Sequence, residues 1–395
     1  RKADLIVIPT SALPAPATLH WTENGVERHA DWRSENGAPP PRRVVVADDT
    51  MSADAAYRLA CEGTALLWRG DFQNARQLLQ ALGRRIDRRP ASAKQRQQDA
   101  GFPQAFHLHR QARAQRARTL GMLLIPFEAG HAVPLRRAPD VTQACLDVYG
   151  PADKPYVASL RELLGLIGAR QWREKGVEIA ALGGRIHPHY GVYSPVRGEY
   201  LDLVARAPLP GVDLAYDIGT GTGVIAALLA RRGVREVVAT DQDPRALACA
   251  RENLSRLEVG GRVRLAQADL FPSGRAQLVI CNPPWVPASV STPVESAVYD
   301  PGSRMLRGFL GGLREHLSDG GEGWLILSDL AEHLGLRSRD ELLGWIHGAG
   351  LAVAGRLETR PVHGKARDAD DPLHAARRRE ITSLWRLRPR DPAAG

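Results

Sequence analysis

The chain has 395 residues, 44% of them hydrophobic and 25% charged, and carries a formal net charge of +9 at pH 7. This describes a soluble globular protein long enough for two domains with a sizeable core. It excludes a membrane-spanning protein, because no apolar run approaches the roughly 20 residues that cross a bilayer. The basic balance makes RNA or the ribosome an expected partner of the surface, although an arginine-rich chain also carries such charge from composition alone. The cysteines Cys61, Cys145, Cys249 and Cys281 are scattered, with neither a CxxC pair nor a Cys/His cluster. That spacing excludes a disulfide framework and structural zinc, and points to a reducing, cytoplasmic compartment. The chain opens on Arg1-Lys2 with neither methionine nor signal-peptide pattern, so the native start is expected to be missing.

Residues 1–50 show little periodicity; 5–8 and 44–47 are short β-like runs around a Pro- and Gly-containing stretch. Helical spacing predicts helices over 54–61 and 72–86, the second with Ala75, Leu78, Leu79, Leu82 and Ile86 on one face and Asp71 as cap. Residues 91–99 are polar and read as a surface loop. A basic helix is predicted over 104–119, with Arg110, Arg113, Arg116 and Arg118 among Gln and Ala. It lacks a wide apolar stripe and is either solvated or laid on a polyanion. Runs 123–127 and 132–135 flank Glu128-Ala129-Gly130-His131 and read as a hairpin. Helices are predicted over 141–149 and 156–175, and strands over 177–182 and 191–193.

From about Gly211 strands alternate with helices, the βαβ signature. Strands are predicted over 214–218, 236–240, 263–268, 278–281, 324–328, 351–360 and 381–387. Helices are predicted over 223–232, 244–254, 305–316 and 340–349. The chain thus divides into an amino-terminal α+β substrate-recognition domain (1–150), a linking helix and hairpin (151–210) and an α/β catalytic domain (211–395).

Asp217-Ile218-Gly219-Thr220-Gly221-Thr222-Gly223 joins the first of these strands to its helix. Glycines let the backbone turn sharply and approach a ligand, and the helix start offers free N–H groups. A GxGxG loop alone also serves nicotinamide and flavin enzymes. Asp241, ending the next strand, suits the two hydroxyls of a ribose. S-adenosylmethionine is favoured over a dinucleotide by three details. Asp217 sets a carboxylate near a cationic aminoacyl end, the later glycine of GxGxxG is absent, and Asp269-Leu270 offers a carboxylate and an apolar side to adenine.

The apolar run 277–281 next delivers Asn282-Pro283-Pro284-Trp285 to a strand's carboxyl end, where open α/β sheets hold ligands. The prolines remove two N–H donors and leave carbonyls free to accept hydrogen bonds, and the aromatic closes the corner. On the glycine loop and this corner, residues 186–388 resemble class I S-adenosylmethionine-dependent methyltransferases. The branch is the one that methylates planar or amide nitrogen through [N/D]PP[Y/F/W]. It is similar to release-factor glutamine methyltransferases and small-domain rRNA guanine/adenine methyltransferases. The resemblance implies a Rossmann-like, seven-stranded mixed sheet with its last strand antiparallel. It also implies that Gly219, Thr220, Gly221, Thr222, Gly223, Asp241, Leu270 and Asn282 hold the cofactor, while residues 282–285 hold the target nitrogen. Trp285 departs from the commoner Tyr or Phe, and residues 1–150 match no recognisable helper domain.

Methyl transfer from a sulfonium, leaving S-adenosylhomocysteine, is a direct displacement that needs no metal and no covalent enzyme intermediate. Hydrogen bonds from an acceptor –NH2 to Asn282 Oδ1 and the Pro283 carbonyl would orient it and favour pyramidal nitrogen as charge develops. Trp285 would stack on a planar acceptor. Candidate substrate contacts are Tyr193, Tyr299 and Arg304, together with His363, Lys365 and Arg377 on a late basic loop expected to overhang the site. The His187-Pro188-His189 pair has no third ligand at suitable spacing, so no metal is expected. The leading function is methylation of a nitrogen on RNA or ribosomal material. The alternatives are methylation of a protein glutamine or small-molecule nitrogen, or a cofactor-binding module without catalysis.

Overall fold

The computed structural model describes residues 17–88, 101–195, 198–290, 295, 298–361 and 371–390. The run at 5–8, the loop at 91–99, His363 and Lys365 lie outside the described residues. The chain divides into two compact units, Arg1–Arg88 with Gln115–Gly165, and Arg89–Ala114 with Leu166–Gly395. Residues 89–114 therefore group with the catalytic unit and 151–165 with the first unit, a different partition from 1–150, 151–210 and 211–395.

Among the described residues the first unit is built on a six-stranded sheet of β1 (Thr18–Glu23), β2 (Val26–Trp32), β3 (Arg43–Ala47), β4 (Thr64–Trp68), β5 (Leu123–Phe127) and β6 (Tyr156–Ser159). Its spatial order is β1-β2-β6-β5-β4-β3, with β3, β4 and β5 parallel. Every residue of β4 and β5 is buried, which is why both read as continuous apolar runs. Asp71 caps helix Phe72–Asp87 as expected, accepting from Gln73 N at 2.8 Å. Two expectations fail here. Residues 132–135 form no strand: a 3-10 turn spans Ala129–His131, and Pro134 removes a donor that a ladder needs. The antiparallel place beside β5 belongs to β6, so residues 156–159 are strand and the helix starts at Leu160.

The second unit opens with a hairpin of β7 (Val177–Ile179) and β8 (Gly184–Ile186); residues 191–193 are not strand. Seven strands follow: β9 (Leu214–Ile218), β10 (Glu236–Asp241), β11 (Val263–Gln267), β12 (Ala276–Cys281), β13 (Leu317–Ser328), β14 (Leu351–Thr359) and β15 (Thr382–Pro389). Their order is β11-β10-β9-β12-β13-β15-β14, and only β15 runs antiparallel to its neighbours. This is the Rossmann-like methyltransferase sheet. Helices Glu199–Arg206, Val224–Arg231 and Pro244–Arg256 bury their apolar residues on one face. Arg304–His316 and Arg339–Gly348 cover the other. Among the described residues no helix is long and apolar enough to cross a membrane.

β13 begins well before residue 324 because its polar start hides a buried charge. Glu322 is fully buried and accepts from Arg386 at 2.8 and 2.6 Å, from Arg388 at 2.9 Å and from Trp324 Nε1 at 3.1 Å. Burial opposes its ionisation, yet those donors bring its pKa below the usual carboxylate value. Replacing Arg386 and Arg388 together by methionine strands this carboxylate and is expected to lower stability by about 3–5 kcal/mol. The measurement is the midpoint of urea unfolding followed by tryptophan fluorescence.

Candidate active site

β9 ends inside the glycine loop, where Gly219 and Gly221 take φ of +71° and +54°. A Cβ on Gly219 would stand 2.5 Å from the mobile end of Met305, which could shift, so it is the positive φ that makes this position need glycine. A Cβ on Gly221 would meet no protein atom within 4 Å, although Gly221 lines a cavity of about 840 Å³. The loop therefore leaves room for a ligand against its backbone.

Two carboxylates hold the loop. Asp241, at the end of β10, accepts from Gly221 N and from Asp243 N, each at 3.0 Å, and lines the cavity. Burial raises its pKa. Asp217 lies one layer behind the wall and does not line the cavity. Its Oδ2 accepts from Thr220 Oγ1 at 2.7 Å and Ala226 N at 3.1 Å, while Oδ1 is buried without a donor among the described residues. Burial pushes the Asp217 carboxyl up to about 7. Leu270 is a non-glycine residue at φ +78°, held there by a 2.6 Å bond from Thr240 Oγ1 to its carbonyl. Such a conformation persists where the surroundings over-determine it, and here it puts Leu270 on the cavity wall.

S-adenosylmethionine fits this donor set. The open glycine backbone, the Asp241 carboxylate and the apolar Leu270 on the cavity wall suit a ligand that combines ribose hydroxyls and an adenine.

The opposite wall is the carboxyl end of β12, where Asn282, Pro283, Pro284 and Trp285 all line the same cavity. Trp285 Nε1 donates to Asn282 Oδ1 at 2.9 Å. The buried Tyr200, from helix Glu199–Arg206, meets the Trp285 ring edge-on at 6.5 Å. Of the other expected residues, Thr220, Thr222, Asp269, Tyr193, Tyr299, Arg304 and Arg377 line the cavity, whereas Gly223 does not. Asp269 and Arg304, expected at different ligands, pair with each other at 3.1 Å. Both are exposed, so this pair is weak and can exchange for a ligand. Arg377 pairs with Asp371 at 2.8 Å.

Three cavity residues come from a stretch that the expected boundary had assigned to another domain. Phe106, His109 and Arg113 belong to helix Gln104–Leu120, whose residues to Ala114 group with the catalytic unit. Phe106 is 3% exposed and packs with Val286, Leu330, Leu334, Leu373 and Ala376. Arg110 stacks 4.3 Å over Tyr299, donates to the Ser289 carbonyl at 2.6 Å and pairs with Glu295 at 3.3 Å. Arg116 pairs with Asp87 at 2.9 Å. The basic helix is thus tied into the fold at Arg110 and Arg116 rather than laid wholly free, while Arg113 is exposed. The readable signal was Phe106, a large ring at the start of an otherwise polar helix. Among the described residues no group of three or more His, Cys, Asp or Glu side chains is arranged to hold a metal. His187 instead bonds the Arg173 carbonyl and His189 bonds Glu252, each at 2.7 Å.

Asp217 generates a pH prediction. Its folded pKa lies above the ordinary 3.8, so the stability it contributes is complete below about pH 4 and is lost as pH rises through about 7. Between pH 5 and 7 the cofactor-free protein is expected to lose roughly 2 kcal/mol that Asp217→Asn does not lose. Denaturant unfolding of both proteins across that range measures the difference.

The methyltransferase small domain family model matches residues 212–334, which hold the glycine loop, Asp241 and residues 282–285. The chain is 28% identical over 162 residues to a provisionally named protein N5-glutamine methyltransferase of Methanocaldococcus jannaschii, covering 39% of this chain and 80% of that one. It is 38% identical over 168 residues to the release factor glutamine methyltransferase of Cereibacter sphaeroides, covering 41% of this chain but only 57% of that relative. It is 28% identical over 184 residues to a tRNA1(Val) adenine N6-methyltransferase of Shewanella amazonensis, covering 45% of this chain and 76% of that one. Residues 212–334 thus match the methyltransferase small domain and sit in a seven-stranded sheet of the class I methyltransferase fold.

Proposed function

We propose that the enzyme methylates an exocyclic amino or amide nitrogen, with RNA or ribosomal material as acceptor. The observation that carries this reading is one cavity lined both by the glycine loop with Asp241 and by residues 282–285. The bound cofactor supplies an electrophilic methyl group on a sulfonium. The chain's own residues do the rest. Asn282 Oδ1 and the Pro283 carbonyl accept the two protons of the acceptor –NH2, which orients its lone pair and favours pyramidal nitrogen as positive charge develops. Pro283 has no N–H to compete for that contact. No strong base is required, since the proton leaves to solvent after transfer.

The charge along the cavity supports an anionic acceptor. Asp241, Asp243 and Asp269 line the cofactor end, whereas Arg113, Arg377 and His109 line the cavity beside Phe106, Leu373 and Trp285. An aromatic and apolar wall with cations near it suits a base joined to phosphate, and base–aromatic stacking contributes roughly 1–3 kcal/mol. The net charge of +9 points the same way. A protein glutamine is the second reading, supported by two relatives named as glutamine methyltransferases. The four cysteines are all free, in keeping with a cytoplasmic enzyme.

Incubation with radiolabelled S-adenosylmethionine and extracts separated into RNA, protein and small molecules tests the acceptor. Label is expected in RNA; label confined to protein would favour the second reading, and label confined to small molecules would refute both. Asn282→Ala is expected to abolish transfer while the fold survives by circular dichroism. Arg113→Glu is expected to raise the acceptor KM at least several-fold and to leave cofactor affinity by calorimetry unchanged.

A further inference from the structure

The amide of Asn282 is held at its oxygen. Trp285 Nε1 donates to Asn282 Oδ1 at 2.9 Å. An indole nitrogen is a donor and never an acceptor. The amide atom facing Trp285 is therefore oxygen. The opposite flip would set N–H against N–H. The indole is not free to turn away: Trp285 packs against buried residues on both faces of the sheet and against the Phe106 cluster. The ring of Tyr200, 2% exposed, meets it edge-on, the two planes crossing at 88°.

We propose that Trp285 is a positioning residue that locks the flip of the Asn282 amide, so that the second lone pair of Oδ1 faces the acceptor –NH2. The inference rests on the methyl-transfer reading and adds what orients its accepting oxygen. It also gives the tryptophan a role that a phenylalanine in its place cannot fill. Phenylalanine offers a face for stacking but no N–H, and tyrosine carries its donor at the far tip of the ring. Without the lock, Asn282 samples a flip that presents two donors to a group that itself donates, and that fraction of the enzyme cannot orient the acceptor.

Trp285→Phe is expected to lower kcat roughly tenfold, the loss of about one hydrogen bond's worth of orientation, with the KM for total RNA within about twofold. Calorimetry should find the affinity for S-adenosylhomocysteine unchanged. In Asn282→Asp the two oxygens are equivalent and the flip has no meaning. Adding Trp285→Phe to that variant should therefore change kcat no more than about twofold, whereas a merely structural tryptophan would cost the same factor in both backgrounds. Independently of turnover, the indole N–H resonance of Trp285 should exchange slowly with solvent and shift in Asn282→Ala. Wild-type kcat in Trp285→Phe, an equal loss in the Asn282→Asp background, or an indole resonance unmoved by Asn282→Ala would each overturn the lock. If the wild-type enzyme labels no acceptor, the methyl-transfer reading fails, and the indole resonance still decides whether the lock exists.

Discussion

Asp217 stands in register with Ala239 of β10 on one side and Ile280 of β12 on the other. The whole site depends on that parallel alignment of three buried strands. Because their carboxyl ends finish level, the glycine loop, Asp241 and Asn282 emerge at one edge of the sheet, with nothing but short chain between strand and site. Parallel strands of this kind are covered on both faces, and here two sets of helices supply the cover. A slip of one residue in β12 would exchange the side chains that it presents to the two buried faces and carry Asn282 away from the loop. Core packing and cofactor geometry are in this respect one constraint.

The site is held by polar groups whose partners come from different elements. Thr240, at the end of β10, bonds the Leu270 carbonyl and keeps an unfavourable backbone conformation in place. Asp300 accepts from Met305 N at 3.0 Å and Leu306 N at 3.1 Å, anchoring the start of the helix whose Met305 meets the glycine loop. Trp285 does the same for Asn282. Each is a second layer whose loss would loosen a contact it does not itself make. The cavity is lined by charges of both signs, Asp241, Asp243 and Asp269 together with Arg113, Arg304 and Arg377.

Much of the catalytic unit was legible because βαβ periodicity and strand-end motifs are local. The strands 214–218, 236–240 and 278–281 were placed within two residues of their ends, and the order of motifs led to the methyltransferase family. What failed did so for physical reasons. Residues 156–159 continue into a helix without a break, so periodicity carried the helix too far. The start of β13 was hidden by the polar run Ser318-Asp319-Gly320-Gly321, an irregularity between the pairing of Leu317 with Ala276 and that of Glu322 with Leu278, and by the charge of Glu322, which finds two arginines on β15. Residues 104–114 read as a basic helix either solvated or laid on a polyanion, since Ala105 and Phe106 alone among them are buried.

The sequence by itself determined the chemistry: a glycine loop, an acid one strand later and an Asn-Pro-Pro-Trp corner are short-range signals, each set by the backbone and side-chain needs of its own few residues. Tertiary structure alone decided what those groups touch. That Trp285 turns its N–H onto Asn282, that Asp217 keeps one oxygen undonated and that Phe106, His109 and Arg113 line the cavity all follow from packing between segments far apart in the chain. Local pattern cannot encode such contacts, because they exist only once the strands and helices have closed on one another.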